Sequence, residues 1–304
     1  MDCYNIDENL VKSFLPKRKR NSHKGTYGHV LNIAGSNEYR GAAYLSSIGA
    51  FKAGCGMVTL AATDKVIDVV SNYNPMIIYL SLANVSNPFA KFYNLKKILK
   101  YIDKYSVVTI GCGLGMKSAS VFLVKKLLKT LQNTNIPFVI DADAINIIAK
   151  NKINVIPKNS IITPHPKELS RLLNIGVEDI QKNRIEMAIE ASKKYNCITL
   201  LKGENTVISN ETGEKVYINA TGNSALSKAG SGDVLSGMIS GFLAQMINDF
   251  EDKEKISEKI IKAAIVGTYL HGKAAEAATT DMSPHSVLQE DIINSIGGQI
   301  KKLL

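Results

Sequence analysis

Short runs of branched apolar residues recur along this chain, separated by longer amphipathic stretches, and this alternation limits its fold more than any other feature. The runs cover residues 30–34, 57–61, 107–110, 138–140, 161–162 and 198–201. Each is strand-length and apolar on both faces, as in a parallel sheet covered by helices on either side. After residue 202 the texture changes. Segments 206–209 and 215–218, joined by Asn210-Glu-Thr-Gly213, read as an antiparallel hairpin at the sheet edge. Three helices follow, at roughly 232–247, 256–278 and 288–302, with a polar connection over 248–254. No internal repeat or long linker divides the chain, so the expectation is an α/β fold in a single domain over 1–304, with 1–23 as an N-terminal extension.

Composition narrows the function. A hydrophobic content of 45% with 21% charged residues indicates a buried globular core. The net charge of +10 suits anionic partners, but apart from Lys17-Arg-Lys-Arg20 the cations are scattered along helix-like stretches. With no aromatic-studded basic stripe and no zinc-finger spacing, nucleic acid is not an expected partner. Cys3, Cys55, Cys112 and Cys197 stand far apart without metal-ligand spacing and read as reduced, mostly buried thiols. No leader-like segment opens the chain and no run of about 18 apolar residues occurs, so a soluble cytoplasmic protein is expected, away from the membrane.

An open parallel sheet binds ligands at the carboxyl ends of its strands. Five segments sit there: Gly35-Ser-Asn-Glu-Tyr-Arg-Gly41, Gly111-Cys-Gly-Leu-Gly115, Asp141-Ala-Asp143, Thr163-Pro-His-Pro-Lys-Glu168 and Lys202-Gly-Glu-Asn-Thr206. The glycines at 111, 113 and 115 miss the dinucleotide fingerprint by one residue, and no Gly-x4-Gly-Lys-Ser/Thr occurs. Of Asp141 and Asp143, one is expected to cap the helix that follows and the other to face the site. His165, between two prolines, has a stiff backbone suited to ligand contact. His29 and His271 read as satisfied structural histidines, and His23 and His285 are given no role. Further on, Gly230-Ser-Gly-Asp233 opens a strongly apolar helix rich in small residues. First-turn amides and the helix dipole favour an anion there, and a carboxylate beside a docked phosphoryl group is placed to take a proton from an attacking hydroxyl. An aspartate near a helix start is also an ordinary N-cap, and the local sequence leaves both readings open.

Taken in order, Lys24-Gly-Thr-Tyr-Gly-His-Val-Leu-Asn-Ile-Ala-Gly-Ser36, Gly41-Ala-Ala43, Lys52-Ala-Gly-Cys-Gly-Met-Val58, Gly111–Gly115, Ile140-Asp-Ala-Asp-Ala144, Thr163-Pro-His165, Leu201-Lys-Gly-Glu-Asn-Thr206 and Gly230-Ser-Gly-Asp233 resemble the NAD(P)H-hydrate dehydratases over about residues 24–300. The resemblance implies a ribokinase-like fold. It also implies repair of hydrated NADH and NADPH (NADHX and NADPHX, S epimer) at the expense of ADP or ATP, with ADP typical of bacterial members, and release of AMP and phosphate from ADP. By that resemblance Asp233 is the catalytic base, and Ala42, Gly113, Gly115, His165 and Asp233 meet the hydrate. Lys202, Gly203, Glu204, Asn205, Thr206, Ser231 and Gly232 would meet the adenine nucleotide. Mg2+ on the phosphates, with ligands not readable here, a homotetrameric assembly and functional coupling to an NAD(P)H-hydrate epimerase are further implications. The chain resembles the dehydratase without a fused epimerase. Two departures stand out. Gly222-Asn-Ser-Ala-Leu-Ser-Lys-Ala-Gly230 replaces the common Gly-Asn-Pro-Gly-Met-Ala-Thr-Gly-Gly, and Cys112 replaces a proline.

Chemically, a ring hydroxyl leaves poorly, so phosphorylating it first turns dehydration into a variation on phosphoryl transfer. A kinase of the same fold acting on a vitamin-precursor alcohol, and a non-catalytic nucleotide sensor, are the rival readings, because fold alone does not choose among them.

Overall fold

The computed structural model describes residues 1–83, 90–249 and 254–304, so residues 250–253 of the expected polar connection lie outside the described residues. The strands are β1 (Asp2–Asn5), β2 (His29–Ile33), β3 (Met57–Thr63), β4 (Ile78–Leu82), β5 (Val107–Ile110), β6 (Phe138–Ile140), β7 (Ser160–Ile162), β8 (Ile198–Leu201), β9 (Thr206–Ser209) and β10 (Lys215–Asn219). The helices are α1 (Glu8–Phe14), α2 (Arg40–Ala53), α3 (Asp64–Val70), α4 (Ala90–Lys100), α5 (Ser118–Thr130), α6 (Ala142–Lys150), α7 (Pro166–Leu173), α8 (Val177–Lys182), α9 (Arg184–Tyr195), α10 (Ser231–Ile247), α11 (Ile256–Ala278) and α12 (Gln289–Leu303). None of them is long and apolar enough to cross a membrane.

All the strands join one sheet in the order β1-β10-β9-β8-β7-β6-β5-β2-β3-β4, and among them only β9 runs against its neighbours. The expected hairpin is β9–β10, but β1 pairs with β10 from the far side, Asp2 opposite Lys215 and Asn5 opposite Ile218, so β1 forms that edge. Residues 1–23 are thus partly woven into the sheet, and α1 buries Val11 in the core.

Helices cover both faces. Side chains of α2, α10, α11 and α12 fill one layer with Val30, Val107 and Val139, while Leu31, Val108 and Ile140 from the same strands face a second layer with Leu127, Ile147 and Leu172. Alternate residues of β2, β5 and β6 therefore bury on opposite sides, which explains why these strands carry no polar face. The helix α10 lies in the core, with Val234, Met238, Phe242 and Leu243 buried. Glycines let it approach α2 at backbone distance: a Cβ on Gly237 would stand 2.1 Å from Ser46 O, and one on Gly241 would stand 2.3 Å from Ala50 O. Sheet order sets β8, β7, β6, β5 and β2 side by side, so the loops after them converge on the N-terminus of α10.

Candidate active site

Gly230 is the N-cap residue of α10, in the left-handed region at φ 93°, and no side chain caps this helix. Asp233 is therefore the third residue of the helix rather than its cap, and that ordinary use of an aspartate is ruled out. The Ser231 amide donates to Lys228 O at 3.3 Å and the Val234 amide to Gly230 O at 3.1 Å. Between them, the Gly232 and Asp233 amides have no such partner among the described residues, leaving unpaired donors at the positive end of the dipole.

The Asp233 carboxyl shares a small space with one other carboxyl and a thiol. Ligand atoms of Cys112, Asp141 and Asp233 lie within 4.8 Å of one another. Burial, reinforced by the negative charge of Asp141, pushes Asp233 up from 3.8 to about 7. Asp141 itself is 1% exposed. It accepts hydrogen bonds from Lys202 Nζ at 2.7 Å and Ser236 Oγ at 2.6 Å. Burial works against its ionisation, yet Lys202 and the hydroxyl donors outweigh this and hold it below the ordinary carboxylate range. Lys202 is likewise disfavoured by burial but held charged by Asp141 and by Glu168, whose Oε2 is 4.0 Å away. Burial raises Glu168 to about 7.

Of the two aspartates, Asp141 is the N-cap residue of α6, as expected of one of them, though its side chain does not do the capping. The other, Asp143, accepts at Oδ2 from the Gly115 amide at 2.7 Å. Asp143 thereby fixes the glycine loop, whose Gly111, Gly113 and Gly115 all have positive φ. A Cβ on Gly113 would stand 2.7 Å from Ala42 Cβ, so Ala42 and this loop are in contact beside the site.

His165 does cap a helix. Its Nδ1 accepts from the Lys167 and Glu168 amides at 3.1 and 3.3 Å, while its own N–H donates to Glu168 Oε2 at 2.9 Å. Burial, with help from Lys202, lowers it to about 4, so the ring is neutral at neutral pH.

Beside these groups lies a cavity of about 670 Å³. His165, Lys202, Gly203, Glu204, Asn205 and Thr206 line it, together with Ser231 and Gly232. Ala42, Gly113, Gly115 and Asp233 are outside its lining. The structure thus brings the expected nucleotide residues into one hollow and gathers the expected hydrate residues next to it, except His165, which sits in the hollow. The start of the Lys202–Thr206 loop is anchored by Arg184, whose guanidinium donates to the carbonyls of Leu201 and Lys202 at 3.1 and 3.3 Å. Opposite, the variant loop is tied down: Gly222 N–H donates to Glu276 Oε1 at 2.8 Å, Asn223 Nδ2 to Thr279 Oγ1 at 2.8 Å, and Lys228 Nζ to His285 O at 2.7 Å. Arg184 and Glu276 were invisible to sequence reasoning because neither belongs to a motif. Glu168 stands in the Thr163–Glu168 segment, and only its spacing from His165 signals the capping box.

Cys112, Asp141 and Asp233 make a poor cage for Mg2+. A buried thiol, pushed up by burial, is a soft and protonated donor, and Asp141 is already engaged by Lys202 and Ser236.

A family model described as NAD(P)H-hydrate dehydratase matches residues 30–297. The chain belongs to this family. It is 35% identical to the bifunctional NAD(P)H-hydrate repair enzyme Nnr of Moorella thermoacetica, over 96% of this chain and 53% of that one. It thus spans about half the length of the bifunctional relatives it matches. The ADP-dependent (S)-NAD(P)H-hydrate dehydratase of Bacillus subtilis is 32% identical over 94% of this chain and 93% of its own. The crystal structure of ADP/ATP-dependent NAD(P)H-hydrate dehydratase from Bacillus subtilis, co-crystallised with ATP/Mg2+, superposes at a TM-score of 0.83 with 31% identity and 100% of both chains covered. The ribokinase-like architecture expected of the dehydratase family is therefore the fold of this chain.

Proposed function

We propose that the protein is an ADP-dependent dehydratase of hydrated NADH and NADPH. Asp233 carries this reading: a half-buried carboxyl raised to about 7, on the first turn of α10. Its carboxyl lies within 4.8 Å of Cys112 in the glycine loop, and the two residues before it, Ser231 and Gly232, line the cavity. Asp233 would take the proton of the hydrate hydroxyl as its oxygen attacks the terminal phosphoryl group of ADP, releasing AMP. The amides of Gly232 and Asp233 would receive the charge of the phosphoryl oxygens. Departure of phosphate, with loss of a proton from the neighbouring ring carbon, restores the reduced nicotinamide. Lys202, held by Asp141, keeps a positive charge at the phosphate end, while Gly203–Thr206 and Ser231 line the nucleotide side. Gly113, Gly115, Ala42 and His165 bound the hydrate.

Mg2+ in this reading comes with the nucleotide phosphates, since the described carboxylates form no hard-oxygen cage for it. A homo-oligomer, cytoplasmic location and coupling to an epimerase acting on the other hydrate epimer belong to the same proposal. In the described structure all four cysteines are free, which agrees with a reducing compartment.

The test is to mix the purified chain with hydrated NADH and ADP or ATP, following reduced-nicotinamide absorbance and free phosphate. Both should rise together, and Asp233→Ala should abolish the rise while still binding nucleotide. A stable phosphate ester without recovery of absorbance would instead establish an alcohol kinase, and nucleotide binding with no phosphate release would establish a sensor.

A further inference from the structure

The proposed dehydration gives Asp233 a proton to take but leaves Cys112, the third member of its cluster, without a task. The place of this thiol is tightly built. The Cys112 carbonyl accepts from the Gly35 amide at 2.8 Å, and both neighbours, Gly111 and Gly113, have positive φ, at 131° and 62°. A Cβ on Gly111 would stand 1.8 Å from Asp141 O, so the loop lies against the start of α6 and brings the thiol to the two carboxyls. Cys112 is 0% exposed, with Sγ 3.9 Å from Asp141 Oδ2 and within 4.8 Å of the Asp233 carboxyl. Burial, reinforced by the negative charges of Asp233 and Asp141, pushes the thiol well above its ordinary range. The sulfur therefore keeps its hydrogen, and one donor faces two acceptors.

The other donors decide which carboxylate needs that hydrogen. Asp141 already has Lys202 Nζ at 2.7 Å on Oδ1 and Ser236 Oγ at 2.6 Å on Oδ2. Among the described residues the thiol is the only side chain that hydrogen-bonds to Asp233. An anionic acceptor strengthens a weak S–H donor, so the bond gains most when Asp233 is ionised. That is the state in which it works as a base. Asp141, Lys202 and Asp143 complete the set of charged groups acting on Asp233, and α2 and α11, which pack on α10, add none to it.

We propose that Cys112 is a positioning residue of the reaction: its S–H donates to the Asp233 carboxylate, steadies the ionised base and leaves the second carboxylate oxygen free for the hydrate hydroxyl. Its part in catalysis rests on the reading of Asp233 as the base, whereas the contact itself does not.

Two measurements on the full chain test this. In the pH profile of kcat/KM for hydrated NADH, Cys112→Ala should move the acid limb up by about half a pH unit, because the ionised base loses a donor. Cys112→Ser, whose hydroxyl also donates, should return the limb to its position in the parent protein or below. The second measurement needs no turnover and no altered loop. The infrared S–H band of Cys112, identified by its loss in Cys112→Ser, should move to lower frequency in the parent protein as pH rises through about 7, and should stay fixed in Asp233→Asn. An acid limb left in place in Cys112→Ala overturns the proposal even where kcat falls, since lost packing alone would do that. A parent S–H band indifferent to pH overturns it as well, with the dehydratase reading intact if turnover is seen. If the parent protein restores no reduced nicotinamide, the dehydratase reading and the catalytic role of the thiol fall together, while the band still decides the contact.

Discussion

Lys202 Nζ stands 2.7 Å from Asp141 Oδ1, joining the ends of β8 and β6 across the intervening β7. The two side chains are 18% and 1% exposed, so the ammonium and carboxylate have given up most of their water and depend on each other. This pair ties the Lys202–Thr206 loop to the floor beneath Asp233.

Removing one partner should therefore cost more than removing both. Asp141→Asn strands a buried ammonium and is expected to lower the unfolding free energy by about 3–5 kcal/mol, whereas Asp141→Asn combined with Lys202→Met should be less destabilised than Asp141→Asn alone. Urea titrations of the two variants measure this. Equal additive losses would show that the charges are not coupled.

The pH dependence follows from Asp233. With its pKa raised from 3.8 to about 7, the base is protonated below that point, so turnover should fall as pH drops through about 7. The same shift bears on stability with the opposite sense. The folded protein holds this proton more tightly than the unfolded chain, so stability is lost as pH rises from about 4 to 7 and the full penalty applies above. Asp233→Asn should thus abolish turnover yet stabilise the protein at pH 8, by on the order of 2 kcal/mol after allowing for partial exposure, with the gain vanishing near pH 4. Melting temperatures of parent and variant at the two pH values decide it.

Much of this arrangement was legible in the sequence. Eight strands and the three C-terminal helices were readable because short runs dominated by branched apolar residues, such as Val107–Ile110, suit a buried strand, and the 206–209 and 215–218 pair carries a turn between its halves. Two strands were missed. Asp2–Asn5 is polar and exposed and becomes a strand only because β10 offers it an open edge, while Ile78–Leu82, on the opposite edge, alternates in burial and lacks the continuous apolar signature. The site loops were legible because strand ends converge in this topology. The pairing of Asp141 with Lys202 was not, since the two lie 61 residues apart and nothing local to either identifies its partner.

His165 should show two separable roles. Its neutral ring caps α7 through Nδ1, so His165→Ala is expected to cost about 1 kcal/mol of stability, and His165→Asn, itself a good cap, to restore most of it. If the ring also meets the hydrate, both variants should raise the KM for hydrate several-fold. Because burial keeps its pKa near 4, the acid limb of the pH profile should stay in place in His165→Asn. A KM restored together with stability would reduce His165 to a cap.

The last prediction concerns what holds Asp233 in position. The carboxyl is carried by α10, and α10 is located by its contact with α2, where glycine stands in for side chains. A Cβ on Gly241 would fall 2.3 Å from Ala50 O and 2.9 Å from both Ala50 Cα and Ala53 Cβ. Two of these atoms are backbone, so no rotamer change relieves the clash, and α10 must move away from α2. Gly241→Ala is expected to destabilise by about 3 kcal/mol despite the better helix propensity of alanine, which alone would stabilise by up to about 1 kcal/mol. Two turns away, the displacement should reach the first turn of the helix, so kcat should drop while nucleotide affinity, set mainly by loops outside α10, changes little. Gly297→Ala on α12, where an added Cβ meets nothing within 4 Å, is the control and should be neutral or stabilising. If both substitutions behave alike, close packing of α2 on α10 is not what positions the base.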